Sequence, residues 1–306
     1  MEQQNIFVQS LIKSELSVDI KDIQKSEKGW NSQVYFVETM DGEKLTLKIS
    51  ETAKKEHAFA KEVWCLQALK QIEVPSAKLL KSGTQDQYDW IIQTTIEGVS
   101  GSDYQGDKVL LYKKIGEQAS LFNAIEVHRF GHDFDSLNGK DNGYQNFLVQ
   151  EIEEVRFDNN PLASDGILTE DQWNILYDFL SPLKKIKTTP KLINTDIYLD
   201  NIIVTEDHQP VIVDWGAAVG HIGYTAELGY FLTWHHKERE ICDAFLDGLS
   251  IEKACLGEIR EYAHKIALLY AYHVVKWAFI CDPKTSRNRK EFLLNTLRGC
   301  IGTFMK

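Results

Sequence analysis

The sequence predicts an α+β fold in two parts, a small β-rich N-terminal lobe over residues 1–95 and a larger helical C-terminal lobe over 96–306. Three observations carry this expectation. Short apolar and β-branched runs separated by turn residues crowd the first part. Beyond about residue 108, segment after segment repeats apolar residues at three- and four-residue steps. One β-rich insert, Asn194 to Gly216, interrupts that helical pattern. No internal repeat or low-complexity tract competes with a two-lobed reading.

The N-terminal elements follow in order. Ser26 to Val37 reads as strand, turn, strand, with Gly29, Asn31 and Ser32 in the turn because they tolerate positive φ and expose backbone N–H groups. Asp41-Gly42 makes the next turn, and the strand Leu45–Ile49 places Lys48 between apolar neighbours. From about Thr52 to Lys70, Phe59, Val63, Leu66 and Leu69 form the apolar face of a helix, and Glu62 falls on it. An inward carboxylate is costly unless paired. Lys48 on the preceding strand is the expected partner of Glu62, with Glu56 as the fallback acid on the same face. Val74-Pro75 breaks the chain before strands at Ala77–Leu80 and Trp90–Thr95, and Glu97-Gly98 opens a polar stretch to Asp107.

Helical spacing or composition then marks Lys108–Arg129, Tyr144–Val155, Thr169–Lys187, Tyr224–His236, Glu238–Leu246 and roughly Glu252–Ile280. The stretch Ile266–Cys281 is the most apolar, but His273 and Lys276 interrupt it, so it reads as a buried helix rather than a membrane span. His128 and Trp234 read as packing residues.

The insert carries the chemistry. Lys191–Ile193, Asn201–Val204 and Pro210–Val213 are short strands whose loop ends hold Asp196, Asn201 and Asp214. An Asp followed five residues later by Asn, then an apolar strand ending in Asp, is the layout of phosphoryl-transferring kinases. Such transfer needs a carboxylate near the attacking hydroxyl and hard oxygen ligands for Mg²⁺. Asp196 suits the first role, Asn201 and Asp214 the second. Any one of these aspartates alone reads as a turn residue that bonds nearby amides, and only the combined spacing says more.

The chain here resembles the aminoglycoside phosphotransferase family, small-molecule kinases that share the protein-kinase-like fold. The family pattern His-Gly-Asp-x-x-x-x-Asn followed by Ile-Asp-Trp stands here as Asn194-Thr195-Asp196-Ile197-Tyr198-Leu199-Asp200-Asn201 and Val213-Asp214-Trp215. Asn194, Thr195 and Tyr198 depart from it, and Tyr198 takes the place of a cation. The resemblance implies ATP or GTP as co-substrate with Mg²⁺, Lys48 as phosphate clamp oriented by Glu62, and the Gly29, Asn31, Ser32 turn over the phosphates. That turn lacks the three glycines of a nucleotide loop and reads equally as an ordinary hairpin. Backbone around Gln93, Thr95 and Ile96 is the expected adenine contact. A catalytically weak nucleotide-binding pseudokinase is the alternative in kind; choline, homoserine or a macrolide are the alternative acceptors.

Charge narrows the partners. Residues 1–95 hold 12 Lys/Arg and 14 Asp/Glu, and the remaining 22 against 31 give the C-terminal part a balance of −9 out of −11. Without a basic stripe a nucleic-acid partner is not expected. An acidic acceptor lobe favours a cationic small molecule such as an aminoglycoside, with Asp133, Asp135, Glu227, Glu238 and Asp243 as possible contributors. The five cysteines contain no Cys-x-x-Cys and are expected to be reduced buried thiols, and MEQQNIFVQS has no secretory pattern, so a cytoplasmic location is expected.

Overall fold

The computed structural model describes residues 2–26, 32–52, 58–132, 144–282 and 284–305. In chain order the elements are α1 (Glu2–Leu16), β1 (Ile20–Lys25), β2 (Gln33–Thr39), β3 (Lys44–Glu51), α2 (Ala60–Gln71), β4 (Leu79–Gln85), β5 (Tyr88–Thr94), β6 (Val99–Ser100), α3 (Lys108–Phe122) and α4 (Tyr144–Glu153). Then come α5 (Glu170–Leu180), β7 (Lys191–Asn194), β8 (Ile202–Val204), β9 (Pro210–Ile212), β10 (Ala218–His221), α6 (Tyr224–His235), α7 (Arg239–Gly248), α8 (Leu256–Lys276) and α9 (Arg287–Phe304). This is a mixed α+β fold, β-rich toward the N-terminus and helical beyond it. The chain divides into two compact units, Met1–Asp103 with Leu199–Gly216, and Tyr104–Tyr198 with Ala217–Lys306.

The first unit is built on an antiparallel sheet of order β1-β2-β3-β5-β4. Strand alternation sorts β3 into two faces: Leu45, Leu47 and Ile49 enter an apolar core with Tyr35, Val37, Trp90 and Ile92, while Thr46, Lys48 and Ser50 lie buried on the other face. Val8, Leu11 and Ile12 of α1 cover that core. Each such side chain contributes roughly 1.5–3 kcal/mol on full burial. Sequence reading overlooked α1, although positions 8, 11 and 12 carry a helical stripe.

A second, three-stranded sheet of order β6-β8-β9 belongs to the same unit. Val99 pairs with Val204 and Ile202 with Ile212, which is why residues 96–103 and 199–216 group with the N-terminal part although a division at 95/96 puts them in the other. Gly98 has φ +156°, and a Cβ there would stand 2.3 Å from the Val204 carbonyl oxygen, so only glycine fits that approach.

The second unit packs helices around Trp173, Leu176, Ile193, Leu268 and Tyr272, with β7 and β10 paired from Ala218↔Asn194 to His221↔Lys191. Several helices are shorter than their patterns suggest. The helix predicted to Arg129 ends at Phe122, because buried Asn123 turns its side chain to the Leu192 carbonyl and Glu227, and the chain from Ile125 runs beside β7. The helix predicted from Thr52 begins at Ala60, since Asp89 accepts the Ala58 amide at 2.9 Å and fixes the entry. Thr169 and Gln172 form a capping box at the start of α5. No helix among the described residues is long and apolar enough to cross a membrane. The thiols of Cys65 and Cys300 are buried, but Cys255 and Cys281 are exposed, contrary to the buried-thiol expectation.

Candidate active site

In the first unit the Lys48 ammonium lies 2.6 Å from Glu62 Oε1 and 3.4 Å from the Val213 carbonyl. The geometry is dictated locally. Alternation turns Lys48 away from the α1-covered core, and Glu62, Cys65, Leu66 and Leu69 form the buried face of α2. Burial opposes charge on Lys48, but Glu62, then Asp214, then the hydrogen bond to Glu62 outweigh it and hold the amine above its ordinary pKa. Burial raises the Glu62 carboxyl, with Lys48 opposing and Asp214 reinforcing the shift.

Asn201 and Asp214 sit at one end of the β8–β9 hairpin. Ile202 faces Ile212, and the Val213 amide donates to the Asn201 carbonyl at 3.0 Å, so the residue before β8 and the residue two beyond β9 emerge together. Asp214 Oδ1 accepts the Gly216 amide at 2.9 Å, and the buried Trp215 indole donates to the Ile212 carbonyl at 3.2 Å, which fixes the turn. A carboxylate and an amide oxygen emerging at one hairpin end are the hard donors that Mg²⁺ takes, so the residues present fit the ion. Among the described residues no group of three or more His, Cys, Asp or Glu has metal-holding geometry. Asp200 is occupied otherwise, accepting the Ser102 hydroxyl at 2.6 Å.

The segment expected to meet the base runs along β5 and just past it. Gln93 is buried within β5, the Thr94 amide donates to Lys78, and the Thr95 amide donates to Lys44 while its hydroxyl bonds Thr46 at 2.8 Å. The Thr94 and Thr95 amides are thus engaged, and Ile96 is the first residue past them. Of the turn, Ser32 is half-buried just before β2, whereas Gly29, Asn31 and the fallback acid Glu56 lie outside the described residues.

Asp196 belongs to the second unit. Its amide donates to Asn194 Oδ1 at 2.9 Å, its carbonyl accepts the Tyr198 amide at 2.8 Å, and the Thr195 hydroxyl donates to the Ala217 carbonyl at 2.8 Å. Asn194 and Thr195 therefore brace the turn. Beneath them Glu227 takes the Asn194 amide at 3.1 Å and the Asn123 side chain at 3.0 Å. Burial pushes the Glu227 carboxyl up to about 8, against those two hydrogen bonds. Tyr198 packs on Trp234 with ring centroids 5.4 Å apart, and Trp234 on Tyr270 at 6.0 Å. Burial, then Tyr270 and Asp196, raise the Tyr198 phenol, with Arg289 opposing.

The acids named for the acceptor fall into three groups. Glu227 is internal, Glu238 pairs with His235 at 3.0 Å, and Asp243 pairs with Arg239 and Arg260; Asp133 and Asp135 lie outside the described residues. Glu227 was legible as a lone acid on an apolar helix, but its buried role depends on Asn123 and Asn194, which are remote in sequence.

A family model described as the phosphotransferase enzyme family matches residues 22–262. No curated protein sequence matches the chain. Among solved structures it is similar to aminoglycoside phosphotransferase APH(4)-Ia, with TM-score 0.71 and 10% identity over 97% of this chain and 98% of that one. It is similar at TM-score 0.72 and 11% identity, over 97% and 98%, to a thermostable mutant of that enzyme in ternary complex with AMP-PNP and hygromycin B. A protein of Thermobifida fusca YX-ER1 assigned as a fructosamine-3-kinase follows at 0.62 and 16%, over 96% and 98%. At these identities the structural likeness speaks to the fold.

Proposed function

Because the chain belongs to the phosphotransferase enzyme family, and so is a phosphotransferase acting on an alcohol group, we propose that it moves the γ-phosphoryl group of ATP or GTP to a hydroxyl of an aminoglycoside-like small molecule. The observation that carries this reading is the buried Lys48–Glu62 pair with the Lys48 ammonium on the Val213 carbonyl, one residue before Asp214. A buried ion pair of this kind needs a reason beyond stability, and holding a polyphosphate is one.

In this reading Lys48 clamps the phosphates and Glu62 fixes its direction. Asn201 and Asp214 would hold Mg²⁺, which when bound neutralises charge on the transferring phosphoryl group. Asp196 accepts the proton of the attacking hydroxyl. Ser32, with Gly29 and Asn31, covers the phosphates, and backbone around Gln93, Thr95 and Ile96 receives the base. The −9 balance of residues 96–306 supports a cationic acceptor, and the free cysteines suit a reducing cytoplasm.

Two measurements test it. Millimolar Mg-ATP or Mg-GTP is expected to raise the melting temperature of the wild type and not of Asp214→Ala. A coupled ADP-release screen over aminoglycosides, choline, homoserine and macrolides is expected to single out an aminoglycoside. A best acceptor that is neutral and indifferent to salt would remove the aminoglycoside assignment. A chain that ignores both nucleotides would remove the reading itself.

A further inference from the structure

The second unit contains a cavity that none of the roles above uses. It measures about 100 Å³ and lies among α4, β10, α6 and α8, enclosed by Glu151, His221, Tyr230, Tyr270 and His273. Roughly 10–15 Å³ of such space holds one water, so this volume takes several ring atoms with their hydroxyls. Empty packing defects are apolar, whereas this cavity is lined with polar groups. His273 Nε2 is buried with no hydrogen-bond partner among the described residues. Glu151 Oε1 stands 3.8 Å from His273 Nδ1, too far for a hydrogen bond. Two polar groups at one void, neither satisfied by the other, mark a place for a ligand.

We propose that this cavity receives an uncharged, hydroxyl-bearing ring of the acceptor, with Glu151 and His273 bonding its hydroxyls and the tyrosine pair flanking its C–H surface. The assignment rests on the phosphotransferase reading and names the part of the acceptor that is buried. Tyr270 joins the cavity to the chemistry, because it lines the void and also stands in the field of Asp196. Tyr230 and Tyr270 form one aromatic wall, with ring centroids 4.2 Å apart, and Val219 and Leu269 complete its apolar surface.

Hydrogen-bond polarity selects the ligand class. The unpartnered His273 Nε2 donates or accepts according to the tautomer of its ring. A hydroxyl both accepts and donates and can use either tautomer and the carboxyl alike. An ammonium only donates and would confront an imidazole N–H.

Charge points the same way. Glu151 is faced by His273 and Lys276 from α8, by Tyr230 from α6, and by Glu154 from beyond the end of its own helix. Lys276 is engaged by Glu154. Burial, then Glu154, push the Glu151 carboxyl up to about 8 against the pull of Lys276. Burial holds His221 down to about 3, and burial with Lys276 holds His273 at about 4. Near neutrality these three groups are uncharged, and His132, which also lines the cavity, can carry only positive charge, so amines on the acceptor would lie outside the cavity.

Ligand-observed NMR titration of the full chain at about pH 7 would compare methyl α-glucoside, methyl α-galactoside and myo-inositol with 6-amino-6-deoxy methyl α-glucoside. At least one neutral probe is expected to bind about tenfold or more tighter than the amino sugar. That binding should vanish in Leu269→Trp, which fills the void, and weaken several-fold in His273→Phe, which keeps a flat ring but removes the ring nitrogens and covers the case in which Leu269→Trp does not fold. Preference for the amino sugar, strengthening as pH passes about 8 and Glu151 ionises, would overturn the proposal. So would binding that both variants leave unchanged. A wild type that responds to Mg-ATP but binds no neutral probe overturns the cavity assignment alone, whereas one that ignores Mg-ATP counts against the phosphotransferase reading.

Discussion

Glu227 Oε2 accepts the backbone amide of Asn194 at 3.1 Å from beneath the turn that presents Asp196. The same oxygen takes the Asn123 side chain, and Asn123 in turn holds the Leu192 carbonyl at 3.3 Å. The end of α3 and the end of β7, two residues from Asp196, are thereby tied to one buried carboxyl of α6.

Truncating that carboxyl should loosen the loop. Glu227→Ala is expected to cost about 1–3 kcal/mol, the penalty for stranding buried donors, and to lower kcat more than it changes nucleotide affinity. Urea unfolding and steady-state kinetics read the two effects. An unchanged kcat in a stable Glu227→Ala protein would show that Asp196 is positioned by other contacts.

Glu227 also makes a pH prediction. Its folded pKa of about 8 lies above the ordinary carboxyl value of 4.5, so the folded state binds more protons than the unfolded one between those limits. Its contribution to stability is full below about pH 4.5 and is lost as pH rises through about 8, at up to ~1.4 kcal/mol per pH unit. Glu151, also raised to about 8, adds to the slope. Unfolding free energies measured across this window should fall with pH, and Glu227→Gln should flatten but not abolish the decline. An equal slope in wild type and variant would contradict the assignment.

Breaking the Lys48–Glu62 pair from either side should be unequal. Glu62→Ala strands a buried ammonium and is expected to cost roughly 3–5 kcal/mol, while in Lys48→Met the buried Glu62 carboxyl, already raised by burial and by Asp214, can neutralise by taking up a proton, so that change should cost less. Lys48→Met nonetheless loses the Mg-nucleotide thermal shift. Equal and small destabilisation by both changes would mean that water reaches the pair.

Asp196→Asn should keep nucleotide binding and lose about two or more decades of turnover, as expected when a positioned base is removed. Single-turnover kinetics with the best acceptor checks it. Matching rates in wild type and variant would mark the loop as vestigial.

Gly98→Ala is expected to destabilise the chain by about 1–3 kcal/mol through its positive φ and the Val204 carbonyl 2.3 Å from the added Cβ. Thermal denaturation reads this directly, and a neutral effect would mean that β6 can shift away from β8.

Much of this protein is local and therefore legible. Alternation along Leu45–Ile49 and the three-and-four spacing from Glu62 to Leu69 place Lys48 and Glu62 on buried faces, because period and burial are properties of adjacent residues. The spacing of Asp196, Asn201 and Asp214 likewise marks the chemistry within one short stretch of chain. Partnership between distant segments is not local. Residues 191–216 look like one strand-loop-strand unit, yet β7 pairs with β10 while β8 pairs with β6 and β9. Glu227 and Glu151 are ordinary helical acids in the sequence, and only tertiary burial decides that one anchors a loop and the other lines a cavity. The desolvation that gives each its role comes from side chains tens to more than a hundred residues away.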